Sequence, residues 1–398
     1  MTQHAESTEH IGSPATGSRP GFNLDGILYH CAGDWPDEQT VASLEPAAAS
    51  GWPWLQQLRW FSQLKQFEQQ NGVNQGSRYL LLQIYHHQQL LVLLPLRTSD
   101  DSHSLLALSN YYSPEFAPLM PDFVPALSSG IAPLKQTKLW PLLVAAISTL
   151  WPQWQQLRLQ PLSQTTATQV QQQCPASIKT LVSPFGHNWR AAATNHTDYW
   201  QQRQSQLVNT IRRKKKKLLQ QGAAIQIHRQ LTPELLASYW HIYQRSWKQP
   251  EPSPDFINWL LEFSSQQGQL RLGLLLINDQ PVAFQFWLVQ QQQAAIVKLS
   301  QDQAFDTLSP GTVLMAAMID EVMTQDNVTN IDFLTGNDDY KAQWMDECLP
   351  LLQLDLFHCQ SLSGWLQYLT QGFRCKLRQL STLRQRRQLI QAPGSQHD

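Results

Sequence analysis

The sequence contains few cysteines, and they are not arranged to bind a metal or to pair. There are five, an odd number, and no Cys-x-x-Cys pair occurs. No histidine lies at zinc-ligand spacing beside a cysteine pair, so no metal site is predicted. We expect free thiols in a reducing cytoplasm. The cysteines are Cys31, Cys174, Cys348, Cys359 and Cys375.

The sequence also lacks a membrane-spanning run, a signal sequence and a strong net charge. The most apolar stretch, Leu139–Trp151, is too short to cross a bilayer and contains Pro141. Residues Met1–Gly21 are polar and have neither the basic start nor the apolar core of a signal peptide. The formal net charge is -1, which is not typical of a nucleic-acid-binding protein. These features predict a soluble, cytoplasmic protein.

Several catalytic motifs are absent from the sequence. There is no Walker pattern and no Ser-His-Asp pattern, and the histidines are isolated apart from His86-His87. No cysteine or serine is placed with a base that would activate it. We therefore expect no covalent enzyme intermediate.

The length of 398 residues predicts two or three domains. Apolar periodicity gives the order helix, three strands, helix, strand in the N-terminal part, with the last strand, Trp154–Leu159, ended by Pro161. A long helix over Asp198–Gln221 precedes a second set of strands and helices. The predicted divisions are a disordered start (1–25), an N-terminal half (26–175), a C-terminal half (190–358) and a basic helical tail (359–398).

The most informative stretch is Leu299–Trp344, which predicts a strand, a turn, a helix, a second strand and a polar loop. Ser309 is the predicted N-cap of the helix, and Pro310 occupies its first position, where a missing N–H costs nothing. The free N–H groups around Gly311–Val313 and the helix dipole favour an anionic ligand. The alternative is a well-capped helix that binds nothing.

A set of residues in this stretch resembles the C-terminal half of the GNAT acyltransferase fold. The resemblance is to the CelD-like group, which is related to the FemAB-type peptidoglycan aminoacyltransferases. It covers roughly residues 195–350, and the N-terminal half only loosely. The usual pyrophosphate signature Q/R-x-x-G-x-G/A is absent, and Ser309-Pro310-Gly311 stands in its place. The matching residues are Asp302, Phe305, Leu308, Ser309, Pro310, Gly311, Leu314, Asp332, Phe333, Gly336, Tyr340, Lys341 and Trp344.

The resemblance implies an α/β fold with two tandem GNAT-like halves, a mixed sheet in each, and a basic C-terminal helix. It implies transfer of an acyl group to an amine or hydroxyl by direct attack in a ternary complex. The implied co-substrate is acetyl-CoA or another acyl-CoA, with no bound cofactor, and the acceptor is a small molecule or a cell-envelope precursor. One alternative is an aminoacyl-tRNA-dependent transferase of the FemAB type. Another is a non-catalytic binding protein with a degenerate GNAT site.

Three residues are the catalytic candidates. The resemblance places Lys341 near the reacting carbonyl, where an ammonium stabilises oxyanion charge, with Tyr340 beside it. Asp332 stands in the apolar strand Ile331–Leu334. A carboxylate there faces solvent, pairs structurally with a neighbour, or serves as a general base or as a partner of Lys341.

Other candidates are assigned to donor and acceptor binding. The donor phosphates are assigned to Ser309, Gly311, Thr312 and Val313. Acceptor binding is assigned to Trp247, Lys248, Asp302, Asp338 and Trp344. For Trp247 and Lys248, a capping turn over the core explains the pattern as well. The aromatic loop Asn110–Pro114 fits simple packing better than a cleft-lining role.

Two basic segments stand out. The run Arg212–Lys217 fits a solvated helix, a phosphate-rich donor, or an acidic surface such as RNA or membrane. In the tail, apolar residues recur at three- and four-residue spacing from Trp365 to Leu380 among several arginines. That tail either packs on the catalytic domain or makes peripheral contact with an anionic membrane.

Overall fold

The computed structural model describes residues 19–44, 57–74, 76–99, 103–120, 139–336 and 338–375. Thirteen strands are formed by these residues. They are β1 (Gly21–Leu24), β2 (Ile27–Asp34), β3 (Tyr79–His86), β4 (Gln89–Thr98), β5 (Ser104–Ala107), β6 (Gln156–Ser163), β7 (Ile178–Ala192), β8 (Ala223–His228), β9 (Leu270–Ile277), β10 (Gln280–Gln290), β11 (Gln293–Gln301), β12 (Asn330–Thr335) and β13 (Glu347–His358).

Helices cover both faces of the strands. They are α1 (Glu38–Leu44), α2 (Leu58–Gln70), α3 (Leu139–Leu150), α4 (Gln164–Gln173), α5 (His196–Gln201), α6 (Ser205–Leu219), α7 (Pro233–Gln244), α8 (Pro254–Gln266) and α9 (Pro310–Gln325). Two short 3₁₀ helices, Gln303–Leu308 and Asp339–Gln343, flank α9 and β12. A C-terminal helix covers residues 362–375, and the rest of the predicted tail lies outside the described residues.

All the strands belong to one mixed sheet, in the order β1-β2-β3-β4-β5-β6-β13-β7-β12-β11-β10-β9-β8. We call β1–β6 the first half and β8–β12 the second half. Each half has antiparallel strands followed by one parallel pair, β5 with β6 and β11 with β12. The predicted α/β fold with mixed strand directions is confirmed. The two predicted sheets are joined edge to edge into one.

The halves are joined by a reciprocal exchange of strands. β7 follows β6 and α4 along the chain, yet it pairs with β12 of the second half. β13 follows β12, yet it pairs with β6 of the first half. The two exchanged strands also pair with each other, from Glu347–Arg190 to His358–Ile178. Separating the chain up to and including β7 from the chain after it would break all three ladders.

In both halves the parallel pair is short, because the two strands stop pairing after three positions. β11 and β12 pair only at Gln293–Ala295 and Asn330–Asp332. β11 then continues beside β10 as far as Gln301, while β12 diverges from it. We call this wedge the open fork. In the first half, β5 and β6 pair only over Ser104–Leu106, and we call the wedge beyond it the closed fork.

Two sequence predictions about element ends are wrong. Residues 198–221 do not form one helix, since the helix is interrupted between the end of α5 and the start of α6. The break places the buried Arg203 where its guanidinium donates to the Trp344 carbonyl at 2.5 Å. Pro161 does not end its strand, because β6 continues to Ser163. The ladder to β13 has a bulge opposite Pro161, between Leu352 and Leu354, so the missing N–H breaks no regular pair.

Candidate functional site

A cavity of about 180 Å³ lies in the open fork. Its walls are the diverging ends of the parallel strands, Ile296–Leu299 of β11 and Phe333–Thr335 of β12. The cavity is also lined by Trp60, by Leu260 and by the loop that carries Tyr111 and Tyr112. Among the predicted site residues, four line it together. They are Lys248, Asp338, Tyr340 and Lys341.

Lys341 is buried at the wall of this cavity, with 4% of its surface exposed. Its ammonium donates to the Phe333 carbonyl at 3.2 Å and the Thr335 carbonyl at 2.9 Å. Asp338 Oδ2 lies 3.9 Å from Nζ. Burial lowers the pKa of Lys341, although Asp338 and Asp332 act in the opposite direction. The side chain therefore fixes the diverging end of β12 at the wall of the cavity.

The bend that opens the fork is at Leu334. This residue has a left-handed backbone, with φ 55°, at a register shift between β12 and β7. Its N–H donates to Asp332 Oδ1 at 2.7 Å. Gly336 follows with φ 137°, and a Cβ there would lie 2.6 Å from Lys341 Nζ. Non-glycine residues in this region are uncommon and carry strain, so Asp332 holds a bend that the chain alone disfavours.

Asp332 lines a second cavity of about 450 Å³, which lies where β11 and β12 are still paired. Its Oδ2 accepts from Arg190 Nε at 2.9 Å and from Asn188 Nδ2 at 3.3 Å. Arg190 also reaches Glu115 at 3.5 Å. Both carboxylate oxygens are thus engaged, which favours structural pairing for Asp332 over proton transfer.

A buried ion pair at the cavity is formed within the second half and contacts the first half through Tyr112. Lys298 Nζ, on β11, lies 2.7 Å from Glu251 Oε2. Glu251 Oε1 accepts from the Tyr112 hydroxyl of the first half at 2.5 Å. Lys298 also lies 5.0 Å from the centre of the Tyr111 ring. The sequence analysis missed Lys298, although a lysine within the apolar run of β11 carried the same signal as Asp332 in β12.

Lys248 projects toward the cavity from the turn between α7 and α8, and it is half-buried. Burial lowers the pKa of Lys248 to about 8, and Lys298 contributes in the same direction. A lysine with this pKa exchanges its proton near neutral pH, as general catalysts do.

Tyr340 lines the cavity and packs edge-on against Phe333, with ring centres 5.6 Å apart. Burial raises the pKa of Tyr340 well above its usual value, and the Asp338 carboxylate adds to the effect. The hydroxyl therefore stays protonated at physiological pH.

Three acceptor-site candidates lie outside the cavity wall. Trp344 is buried in the core, where its ring lies 6.3 Å from that of Trp200. Asp302 is buried, caps the 3₁₀ helix Gln303–Leu308 by accepting from Ala304 N at 2.9 Å, and pairs with Arg245. Trp247 is 53% exposed.

The start of α9 is partly occupied by the protein itself. Ser309 is not a side-chain cap, because its backbone is left-handed and its hydroxyl donates to the Asp306 carbonyl at 3.4 Å. Gly311 N–H donates to Gln301 Oε1 at 2.9 Å, and Val313 N–H donates to the Ser309 carbonyl at 3.4 Å. Thr312 N–H has no recorded acceptor in the described part of the chain. The three free N–H groups predicted here are therefore reduced to one.

The basic run Arg212–Lys217 lies on the solvent side of α6, next to the start of α9. Lys214 Nζ donates to the Thr307 carbonyl at 2.6 Å. Arg212 and Lys215 border a groove of about 280 Å³ whose floor includes Val313 of α9. Within the described ranges, no ion pair of at most 4.0 Å joins these basic residues to a carboxylate. Their charges are available to a phosphate-bearing ligand.

Residues 205–342 match the sequence profile of the Acetyltransferase (GNAT) domain family. This part of the chain is therefore similar to GNAT acetyltransferase domains. It spans α6 to the loop that carries Lys341, and therefore contains both strands of the open fork. The match agrees with the predicted GNAT resemblance over this part of the chain.

Several solved structures resemble the chain over most of its length, at low sequence identity. A conserved protein of unknown function from Bacteroides thetaiotaomicron is 11% identical, with a TM-score of 0.48 over 81% of this chain and 96% of its own. FemX is 10% identical, with the same score and coverage. L-PGS from Bacillus licheniformis is 9% identical, with a TM-score of 0.46 over 78% and 96%. No curated protein matches the sequence.

Among the described residues, no helix is long and apolar enough to span a membrane. The same residues contain no group of three or more metal-binding side chains.

Proposed function

We propose that the protein transfers an acyl group from acetyl-CoA or another acyl-CoA to an amine or hydroxyl, and that the reaction takes place in the open fork. The observation that supports this is the divergence of β11 from β12 after three pairs. Beyond that point, the two strands no longer pair with each other. Backbone groups without a ladder partner require hydrogen bonds, which Lys341 supplies to the Phe333 and Thr335 carbonyls of β12 but not to the edge of β11. The amide-containing arm of coenzyme A is a strand-like partner that can supply them.

The phosphates of the donor are assigned to the start of α9. Thr312 N–H and the helix dipole favour an anion there, and the basic residues of α6 lie beside it. For the anion to reach Gly311, the Gln301 side chain must move away. This arrangement would replace the missing glycine signature with lysine and arginine side chains.

In the proposed reaction, the acceptor attacks the thioester carbonyl directly. The new C–N or C–O bond forms, and oxyanion charge develops next to the Lys341 ammonium. Lys248 in its neutral form takes the proton of the acceptor. The C–S bond then breaks, and the leaving thiolate takes a proton from the Tyr340 hydroxyl. Proton exchange with solvent restores both side chains. Asp332 acts as a positioning residue that holds the bend at Leu334.

The size of the cavity restricts how the acceptor enters. About 180 Å³ is below the roughly 300–1,000 Å³ of drug-sized ligand pockets, so only the reacting end of an acceptor fits. The proposed acceptor is a small molecule or a cell-envelope precursor whose bulk remains outside the cavity.

An aminoacyl-tRNA donor is the second candidate, and the observation that favours it is the unpaired basic surface of α6. The competing explanation is structural, because lysines at a helix C-terminus are stabilised by the helix dipole. Replacing Lys215, Lys216 and Lys217 together with glutamate would reverse three charges on this surface. If tRNA is the donor, its affinity must drop sharply and become less salt-dependent.

Isothermal titration calorimetry separates these donors. Acetyl-CoA and bulk tRNA are titrated separately into the wild type and into the Leu299→Trp variant, which fills the open fork. We expect acetyl-CoA to bind the wild type and to lose at least tenfold in affinity with the variant. Binding of tRNA alone would establish the second candidate. Binding of neither would favour a degenerate site.

A further inference from the structure

The C-terminal helix, residues 362–375, packs on the protein through its polar face. Gln367 Nε2 donates to Gln155 Oε1 at 2.8 Å, and Gln371 Nε2 donates to Gln156 Oε1 at 3.0 Å. Tyr368 adds an edge-on contact with Phe357, at 5.7 Å between ring centres. These contacts place the helix over β6 and β13.

The opposite face of this helix is apolar and exposed. Its members recur at three- and four-residue spacing and form one stripe, which we call the outer stripe. It consists of Leu362 (85% exposed), Trp365 (41%), Leu366 (62%), Leu369 (55%) and Phe373 (65%). The polarity is thus the reverse of that of a surface helix in a globular protein, whose apolar face packs on the core.

Local packing fixes this orientation. Gly364 lies so close to the His358 carbonyl that a Cβ would be 2.2 Å from the oxygen. The N–H of Trp365 donates to the Ser361 carbonyl at 3.1 Å. A rotation that buried the outer stripe would break the glutamine pairs and place a larger side chain at the position of Gly364.

The positive charge of the sequence around the outer stripe indicates which kind of surface it binds. Between Gln360 and the end of the chain, the only acidic residue is Asp398. The basic residues there are Arg374, Lys376, Arg378, Arg384, Arg386 and Arg387. Of these, only Arg374 lies in the described part of the helix. A sequence that combines an apolar helix face with basic residues complements an anionic lipid surface.

We infer that the outer stripe is a docking surface for an anionic lipid bilayer, with the helix lying in the plane of the headgroups. Docking through this face leaves the glutamine contacts intact, so the protein binds the membrane without unfolding the helix. The inference does not depend on which acyl donor the open fork accepts.

Vesicle co-sedimentation of the full chain tests this inference. The vesicles contain phosphatidylcholine alone or with about one-third phosphatidylglycerol. We compare the wild type with the double variant Leu366→Glu/Leu369→Glu and with the control Leu219→Glu. Leu219 is 61% exposed on α6, which matches Leu366 in exposure but lies outside the outer stripe.

The expected result is strong partitioning of the wild type and the control onto anionic vesicles only. Partitioning should weaken as salt rises, because charged contacts with a surface are screened. The double variant should lose at least tenfold in partitioning while keeping the melting temperature of the wild type, since its sites are exposed.

Three results would overturn the inference. One is equal binding by the double variant. Another is binding that is insensitive to both salt and lipid charge. The third is a lack of vesicle binding together with a dimer that the double variant abolishes, which would make the outer stripe an interface between copies.

Discussion

The two forks of the sheet begin alike and end differently. In each, two parallel strands pair at three positions and then part. In the closed fork, the chain fills the wedge itself. Phe116 N–H donates to the Pro161 carbonyl of β6 at 2.7 Å, and Leu119 exchanges two hydrogen bonds of 2.8 Å with Leu93 of β4. In the open fork, the corresponding space is the cavity.

The difference shows how one strand order can serve either structure or binding. Phe116 is fully buried in the closed fork, so its backbone and side chain take the place that a ligand would occupy. The cavity of the open fork is instead lined by Lys248, Tyr340 and Lys341. The first half then contributes to the site only from outside, through Tyr111, Tyr112 and Trp60.

Emptying the closed fork should produce the largest effect on stability. Phe116→Ala removes a fully buried ring, and such changes cost about 3–5 kcal/mol of unfolding free energy. Leu299→Ala in the open fork is the matched variant and should cost less, because Leu299 is only partly buried. Chemical denaturation gives both values. The comparison fails if the two losses are equal, or if Phe116→Ala alone weakens donor binding.

Removing the ammonium from the open fork should produce the largest effect on catalysis. Lys341→Met should lower kcat by roughly 10²–10³, or about 2.7–4 kcal/mol, as for other oxyanion-stabilising donors. Because Lys341 also donates to two carbonyls, the melting temperature must be measured alongside. A kcat within threefold of wild type would restrict Lys341 to a structural role.

Breaking the buried ion pair of the second half should reduce stability on the order of 3 kcal/mol. Glu251→Gln leaves Lys298 buried without its counter-charge, which is costly because both side chains are buried. The double variant Glu251→Gln/Lys298→Met should recover part of the loss. Urea denaturation of the two single variants and the double variant measures the coupling. Additive losses would show that the pair does not act as a unit.

A smaller effect is expected on the pH dependence of kcat/KM. The pKa of Lys248 is lowered to about 8, so the neutral form that accepts a proton disappears as pH falls below that value. We expect kcat/KM to fall about tenfold per pH unit on the acid side. Lys248→Gln should remove this fall in kcat/KM on the acid side. Steady-state or stopped-flow assays from about pH 6 to 9 can resolve the difference. An unchanged fall in the variant would assign it to another group.

Periodicity in the sequence predicted most elements of the second half, because its strands are short, mainly apolar segments. Leu270–Ile277 is an example that the structure reproduces without change. The loop with Tyr340 and Lys341 could be recognised because its residues follow a buried strand in a family pattern. Both residues do line the cavity.

Contacts between distant residues were beyond the sequence reasoning. The exchange of β7 and β13 depends on pairing between residues such as Arg190 and Glu347, which no local pattern shows. The pair of Lys298 with Glu251 likewise forms only when the turn between α7 and α8 packs near β11. Occupation of Gly311 N–H by Gln301 arises because the end of β11 lies beside the start of α9.

Hydrogen–deuterium exchange with and without acetyl-CoA tests the central claim most directly, because it locates the ligand on the backbone. If the open fork holds the donor, amides in residues 296–301 and 333–341 should be protected at saturating acetyl-CoA. Amides in residues 104–120 of the closed fork should exchange as before. Protection confined to the closed fork, or none in the open fork at saturation, would contradict the account.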